Sequence, residues 1–202
     1  MKLTAEQAAR ELGISARQVR RAAASGRIEA ARHGSAHAVS AKHVRMASRT
    51  SHHGRDWSDT TCSAALDLLS SRMTSEVEGS TRSRLKGRIR QMEAGALAGQ
   101  ILRGRAELRR ATSDDIKRQF MPRLVLELGL SSSGGTGVLV AENIGVAARS
   151  ARLGRDDEGD IVAIEGIARH REVLEALALI AYGDTRESEA ASRWIHVKQV
   201  SV

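Results

Sequence analysis

"ELGISARQVRRAAASGRI", residues 11–28, contains the start, body and end of one short helix. Gly13 stops what precedes it, Ser15 stands where an N-cap belongs, and Gln18 three positions on completes a capping box. Ile14 and Val19 have the spacing of a hydrophobic staple across that cap. Ser25-Gly26 supplies the stop, because glycine takes the left-handed conformation just past a helix end without a Cβ penalty. At about 100° per residue, Val19, Ala22 and Ala23 share one arc, and Arg17, Arg20 and Arg21 share the opposite one. The stretch predicts a helix over 16–24 with a buried aliphatic edge and a guanidinium face turned outward.

The same cap logic works outward in both directions. Thr4 precedes "AEQAAREL", with Gln7 at the third helical position and Gly13 as the stop, which predicts a helix over 5–12. Ser40 precedes "AKHVRMA", with Val39 and Val44 as the staple pair, which predicts a helix over 41–48. Between them, Ile28, Ala30 and Val39 of "GRIEAARHGSAHAV" fit two short strands around a turn at His33-Gly34-Ser35. Helix, tight turn, helix, ribbon, helix is the order of a winged helix-turn-helix, here over residues 1–49.

Composition narrows the partners. Lys and Arg number 32 against 24 Asp and Glu, a net +8, which brings nucleic acid or an acidic protein forward first. Residues 1–55 hold 11 basic and 3 acidic side chains, residues 56–121 hold 12 and 9, and residues 122–202 hold 9 and 12. The charge therefore runs from a basic front to an acidic back. The single cysteine, Cys62, excludes an internal disulfide and a multi-cysteine zinc site, and suits a reducing cytoplasm. No apolar run approaches the ~18 residues of a membrane span, and no signal-peptide core follows Met1, so no membrane partner is expected. Trp57, Phe120, Tyr182 and Trp194 are the whole aromatic set, too few for a sheet that stacks single-stranded bases.

Residues 3–44, "LTAEQAARELGISARQVRRAAASGRIEAARHGSAHAVSAKHV", closely resemble the excisionase and MerR-type family. The resemblance implies that the second helix enters the major groove and that the wing lies along phosphates or the minor groove. Carried over by position, Arg17, Gln18, Arg20 and Arg21 form the DNA-facing helix, and Arg32, Ser35 and His37 belong to the wing. Arginine can pair with guanine and glutamine with adenine through two hydrogen bonds each, while further cations neutralise phosphate. Family wings usually carry an arginine and an aromatic at the tip. This one has His33, Ser35, Ala36 and His37, which implies a weaker, pH-sensitive grip on the backbone. A three-helix protein-binding module with a solvated arginine face is the competing reading.

Residues 50–56 are polar and aperiodic and read as a linker. His52-His53 has no further ligand at metal spacing, so no metal is expected. Residues 57–121 read as a helical region. In it "SDTTCSAALDLLSSRM" gathers Ala65, Leu68 and Leu69, and "STRSRLKGRIRQM" sets Leu85, Ile89 and Met92 on one face behind Ser80 as cap. Arg82, Arg84, Lys86, Arg88 and Arg90 also alternate as they would on one face of a strand; the cap and the apolar spacing favour helix. "GALAGQILRGRAELRR" continues helically through Leu97, Ile101, Leu102 and Leu108.

Residues 122–202 read as a small mixed α/β unit, giving an α+β, mostly helical chain. "RLVLELGL" is short and apolar enough for a buried strand, and "DDEGDIVAIEG" is an acidic turn feeding a strand over 161–164. "REVLEALALIAYG" is an apolar helix stopped at Gly183. "DTRESEAASRWI" opens with an Asp184/Glu187 capping box and turns Ala190, Ala191, Trp194 and Ile195 inward. "GLSSSGGTG", residues 129–137, imitates a phosphate-binding loop, but Gly135 stands where the lysine must be, so it reads as a turn. Neither an Asp-x-Asp pair for metals nor a G-x-S-x-G elbow is present. No catalytic residue and no cofactor is expected.

Residues 57–191, through "WSDTTCSAALDLLS", "STRSRLKGRIRQM", "ILRGRAELRR", "DDEGDIVAIEG" and "LEALALIAYGDTRESEAA", resemble actinobacterial helix-turn-helix antitoxins paired with AbiEii- or MenT-type nucleotidyltransferase toxins. That resemblance implies a cytoplasmic, nucleoid-associated autorepressor. Its front would hold a double-stranded operator, and its back would hold a cognate toxin, with a homodimer as a further option. Such a toxin needs a cationic cleft for its polyanionic substrates, and Asp156, Asp157 and Glu158 are the carboxylates that could face it. The alternative is a free-standing regulator or excisionase-like factor whose back half dimerises or senses an effector.

Overall fold

Thr4 opens the first helix as its sequence predicts. Its hydroxyl accepts from the Gln7 amide at 3.2 Å, and Gln7 Oε1 accepts from the Thr4 amide at 2.8 Å. In this computed structural model the described residues are 2–24, 30–33, 36–51, 55–130 and 135–202, with only the backbone for 31–33, 36 and 37. The front of the chain runs β1 (Lys2–Leu3), α1 (Ala5–Leu12), α2 (Ala16–Ala24), β2 (Ala30–His33), β3 (Ala36–Ser40) and α3 (Ala41–Arg49). The sheet order is β1-β3-β2, antiparallel throughout, with Leu3 opposite Val39 and Arg32 opposite His37. Strand β1 has no alternation to announce it, since two residues are too few. Ala5, Ala8, Ala9, Val19, Val39 and Val44 fill a small core whose alanines let the helices approach closely. The predicted stop at Ser25-Gly26 and the turn at Gly34-Ser35 lie outside the described residues, as does His52-His53.

The rest of the chain forms a larger body. It comprises α4 (Asp59–Ser71), α5 (Gly79–Gln91), α6 (Ala94–Leu102), β4 (Ala106–Ala111), α7 (Asp114–Arg118), α8 (Arg123–Glu127), β5 (Gly137–Ala141), α9 (Ile144–Ser150), β6 (Leu153–Arg155), β7 (Ile161–Glu165), α10 (Arg171–Tyr182) and α11 (Thr185–Ser201). Its sheet runs β5-β7-β4-β6, with β5 and β7 parallel and the other pairs antiparallel. Helix α10 is the hub, buried without a break from Val173 to Ala181 and touching α3, α4, α6, α8, α11, β5 and β7. Apart from Glu175 this buried stretch is apolar on all sides, and such a helix belongs at the centre. Asp67 of α4 anchors its entry, with Oδ1 2.8 Å from His170 Nε2 and 3.0 Å from Arg169, and Oδ2 accepting from Thr74.

Three local expectations are corrected. The segment 106–111 is a strand, not helix, because the turn at Arg103–Arg105, with Gly104 at φ 70°, ends the helical run and puts Leu108 into the sheet side of the core. "RLVLE" is helical, not a buried strand; Pro122 stands at its N-cap, and Leu124 and Val125 turn inward while Leu126 is 70% exposed. Ser80 is not the cap of α5, which starts at Gly79 with φ 51° and has no side-chain cap. The alternating cations of 82–90 do lie on a helix, with Leu85 and Ile89 buried beneath them.

Helix α3 joins front to body. Gly95 and Gly99 of α6 lie so close to the end of α3 that a Cβ on either would collide with the carbonyl of Arg49 or Thr50. The far end of the linker is pinned as well: Gln100 accepts from the Trp57 amide at 2.8 Å and donates to the Arg55 carbonyl at 3.3 Å.

Candidate nucleic-acid interface

The candidate surface is built on α2. Ser15 Oγ accepts from the Gln18 amide at 3.2 Å, and Gln18 Oε1 accepts from the Ser15 amide at 2.8 Å and from its hydroxyl at 3.0 Å. Val19 is fully buried against α1 and the hairpin, which turns the opposite arc outward. Ile14, the outer staple position, stays 38% exposed. Arg17 and Arg21 stand on that outward arc, exposed, with no hydrogen bond or ion pair to any described residue.

Two of the four predicted residues on this helix behave differently. Arg20 lies about 100° from Val19, on the flank rather than opposite it, and its guanidinium is ion-paired with Glu6 of α1. It braces the two helices. Gln18 has its side-chain oxygen engaged twice in the cap, so a paired contact with adenine, which needs that oxygen and the amide nitrogen together, would have to break the cap. On the hairpin, the register places Arg32 directly opposite His37 at its distal end, while Ser35 falls outside the described residues.

The acidic turn expected to face a toxin faces this chain's own α3. Asp156 pairs with Arg110 at 2.5 Å, and this hydrogen bond holds its carboxyl below the usual carboxylate range. Burial works against ionisation of Glu158, yet a hydrogen bond from Ser40 helps to keep its carboxyl low. Lys42 donates to the Gly159 carbonyl, and Asp160 is paired with Lys117 at 3.1 Å. Of the three predicted carboxylates only Asp157 is exposed. The basic front and acidic back meet within one molecule.

The loop that imitates a phosphate-binding loop has an anion of its own. Residues 131–134 lie outside the described residues, but the Thr136 amide and hydroxyl donate to the buried Glu187 carboxylate at 2.9 and 3.1 Å. The Asp184 amide adds a third bond at 2.9 Å, closing the predicted capping box. Gly135 is needed here because a Cβ would press on Glu187 and Met121.

No family model, curated protein or solved structure matches the chain. What it can bind follows from its own charges and shape. Among the described residues no cluster of His, Cys, Asp or Glu could hold a metal, and no helix is long and apolar enough to cross a membrane. One group of residues went unnoticed in the sequence: Lys42, Arg45 and Arg49, on one face of α3, line a cleft of about 160 Å³ with Ala181, Tyr182, Gly183 and Asp184. Their i, i+3, i+7 spacing in "AKHVRMASR" was the available signal.

Proposed function

We propose that the chain is a DNA-binding regulator whose front, residues 1–49, acts as a winged helix-turn-helix on a double-stranded operator. The observation that carries this reading is the pair Arg17 and Arg21, exposed and without a partner among the described residues, on a helix whose opposite edge is locked by Val19. Helix α2 enters the major groove with these two arginines toward base edges and nearby phosphates. The hairpin β2–β3, with Arg32, Ser35 and His37, follows the backbone as a wing. Gln18 and Arg20 hold the helix in place, through the cap and the Glu6 pair. No catalytic step is assigned.

Two forms of this regulator are open. The antitoxin form rests on the resemblance of residues 57–191 and assigns the body to a toxin. The free-standing form is favoured by one observation: the acidic turn 156–160 is already engaged by Lys42 of α3, by Arg110 and by Lys117, so the complementarity reserved for a toxin is met internally. Pull-down with the product of the adjacent reading frame separates them. For DNA binding itself, the test is selection of an operator from random duplexes, followed by isotherms on it and on unrelated DNA. Arg17→Ala and Arg21→Ala each cost about 1–3 kcal/mol at the operator and less on unrelated DNA, and Arg20→Ala costs least. Equal small losses on both DNAs would reduce Arg17 and Arg21 to phosphate contacts. Failure to enrich any duplex would refute the function.

A further inference from the structure

The cleft between α3 and the α10–α11 turn is lined by more cations than carboxylates. Three cations from one helix line it, against a single carboxylate, Asp184, which is itself engaged as an N-cap. Lys42 reaches across to the Gly159 carbonyl. Arg49 is half-buried, and its Nη1 donates to the Gly183 carbonyl at 2.5 Å, a neutral acceptor. Arg45 makes no hydrogen bond or ion pair with any described residue. Burial first, and the neighbouring Arg45 second, lower the Arg49 pKa from its ordinary value, while Asp184 and Glu187 nearby raise it and the guanidinium stays charged. Like charges one helical turn apart are unfavourable, and here they share one concave site. Guanidinium groups present donors in the planar fork that fits oxyanions.

We infer that this cleft is a binding site for the phosphate group of a small phosphorylated ligand. The lining carries a formal net +2, which matches a phosphate dianion better than a single carboxylate. A volume of about 160 Å³ holds a phosphate and a short organic remainder beside Ala181 and Tyr182. One wall belongs to α3, which is continuous with the basic front, and the other belongs to the body. An occupied cleft therefore ties the two together and gives the regulator an effector input. Phosphate binding itself is independent of the DNA-binding proposal, and only the effector role depends on it.

The test titrates the full chain with inorganic phosphate and with glycerol 3-phosphate by calorimetry, in chloride at fixed ionic strength. Saturable 1:1 binding is expected for both, tighter for the ester. Arg45→Gln weakens it at least tenfold, Arg45→Lys recovers part of the loss, and the melting temperature in chloride alone does not fall. Arg17→Ala, far along the chain on α2, leaves phosphate binding unchanged. Equal binding by wild type and Arg45→Gln, or none above the chloride background, would overturn the proposal. A second arm follows unrelated duplex DNA against salt. An unchanged salt slope for Arg45→Gln supports the small-ligand source. A slope reduced by about one phosphate would make DNA the owner of that phosphate and overturn it.

Discussion

Gly99→Ala and Gly87→Ala are the same chemical change in two helices, and they should move stability in opposite directions. At Gly87 an added Cβ meets nothing within 4 Å, so the substitution acts through helix propensity alone. Replacing glycine by alanine in a helix interior stabilises by roughly 0.5–1 kcal/mol. At Gly99 the same propensity gain is present, but the new methyl overlaps the Thr50 carbonyl at the end of α3. That obstacle is backbone rather than a flexible side-chain tip, so α3 must move off α6. Overpacking of this kind costs about 1–3 kcal/mol, leaving a net loss near 1–2 kcal/mol after the propensity gain. Against a typical stability of about 5–15 kcal/mol the chain still folds. Urea denaturation of both variants, followed by far-ultraviolet circular dichroism, reads the two signs directly. The displaced front should also be cut faster by protease near residue 50 in Gly99→Ala. A Gly99→Ala chain as stable as Gly87→Ala would refute the close seating of α3 on α6.

Glu187→Ala leaves the Thr136 amide, the Thr136 hydroxyl and the Asp184 amide without their shared acceptor. It should cost about 3 kcal/mol or more in equilibrium unfolding, at roughly 1.5–3 kcal/mol per bond to a charged group; a loss under about 1 kcal/mol contradicts the internal-anion reading of that loop. Acid should loosen the contact between α3 and the acidic turn. Burial lowers the His43 pKa below its ordinary 6.5 despite Asp157 and Glu158, and Glu158 lies below its ordinary 4.5. Both groups bind protons more readily when unfolded, so their contribution is complete above pH 6.5. It is lost as pH falls, first through the lowered His43 value and then through that of Glu158. Urea midpoints should decline from pH 7.5 to 5 and again toward pH 4; a rise over that range contradicts it. Burial also pushes the Cys62 thiol up, so a thiol reagent at pH 8 should label it only at the rate of local opening, with urea accelerating the reaction.

The front was legible because its helices carry their own punctuation. Thr4, Ser15 and Ser40 start helices, Gly13 ends one, and all four act as read. The Asp184/Glu187 box and the Gly183 stop were equally local. Reading failed where tertiary context outweighed pattern. Leu108 continues the spacing of Leu97 and Ile101, but the turn at Gly104 places it in a strand paired with β7. "RLVLE" is too short for its period to separate helix from strand. In the candidate interface, periodicity could place Arg20 on the flank, yet only the fold reveals Glu6 beside it. The acidic turn was visible as a charge run. Its partners were not, because they are cations 43, 46 and 117 residues away in the same chain.

The proposed function requires the basic front to grip duplex DNA through its phosphates and to read it with α2. The most direct measurement is the affinity of the full chain for its selected operator across 50–200 mM salt. Six to ten neutralised phosphates predict a straight double-logarithmic line and a loss of about 10³–10⁵ in affinity over that range. A flat line across those concentrations would contradict the claim.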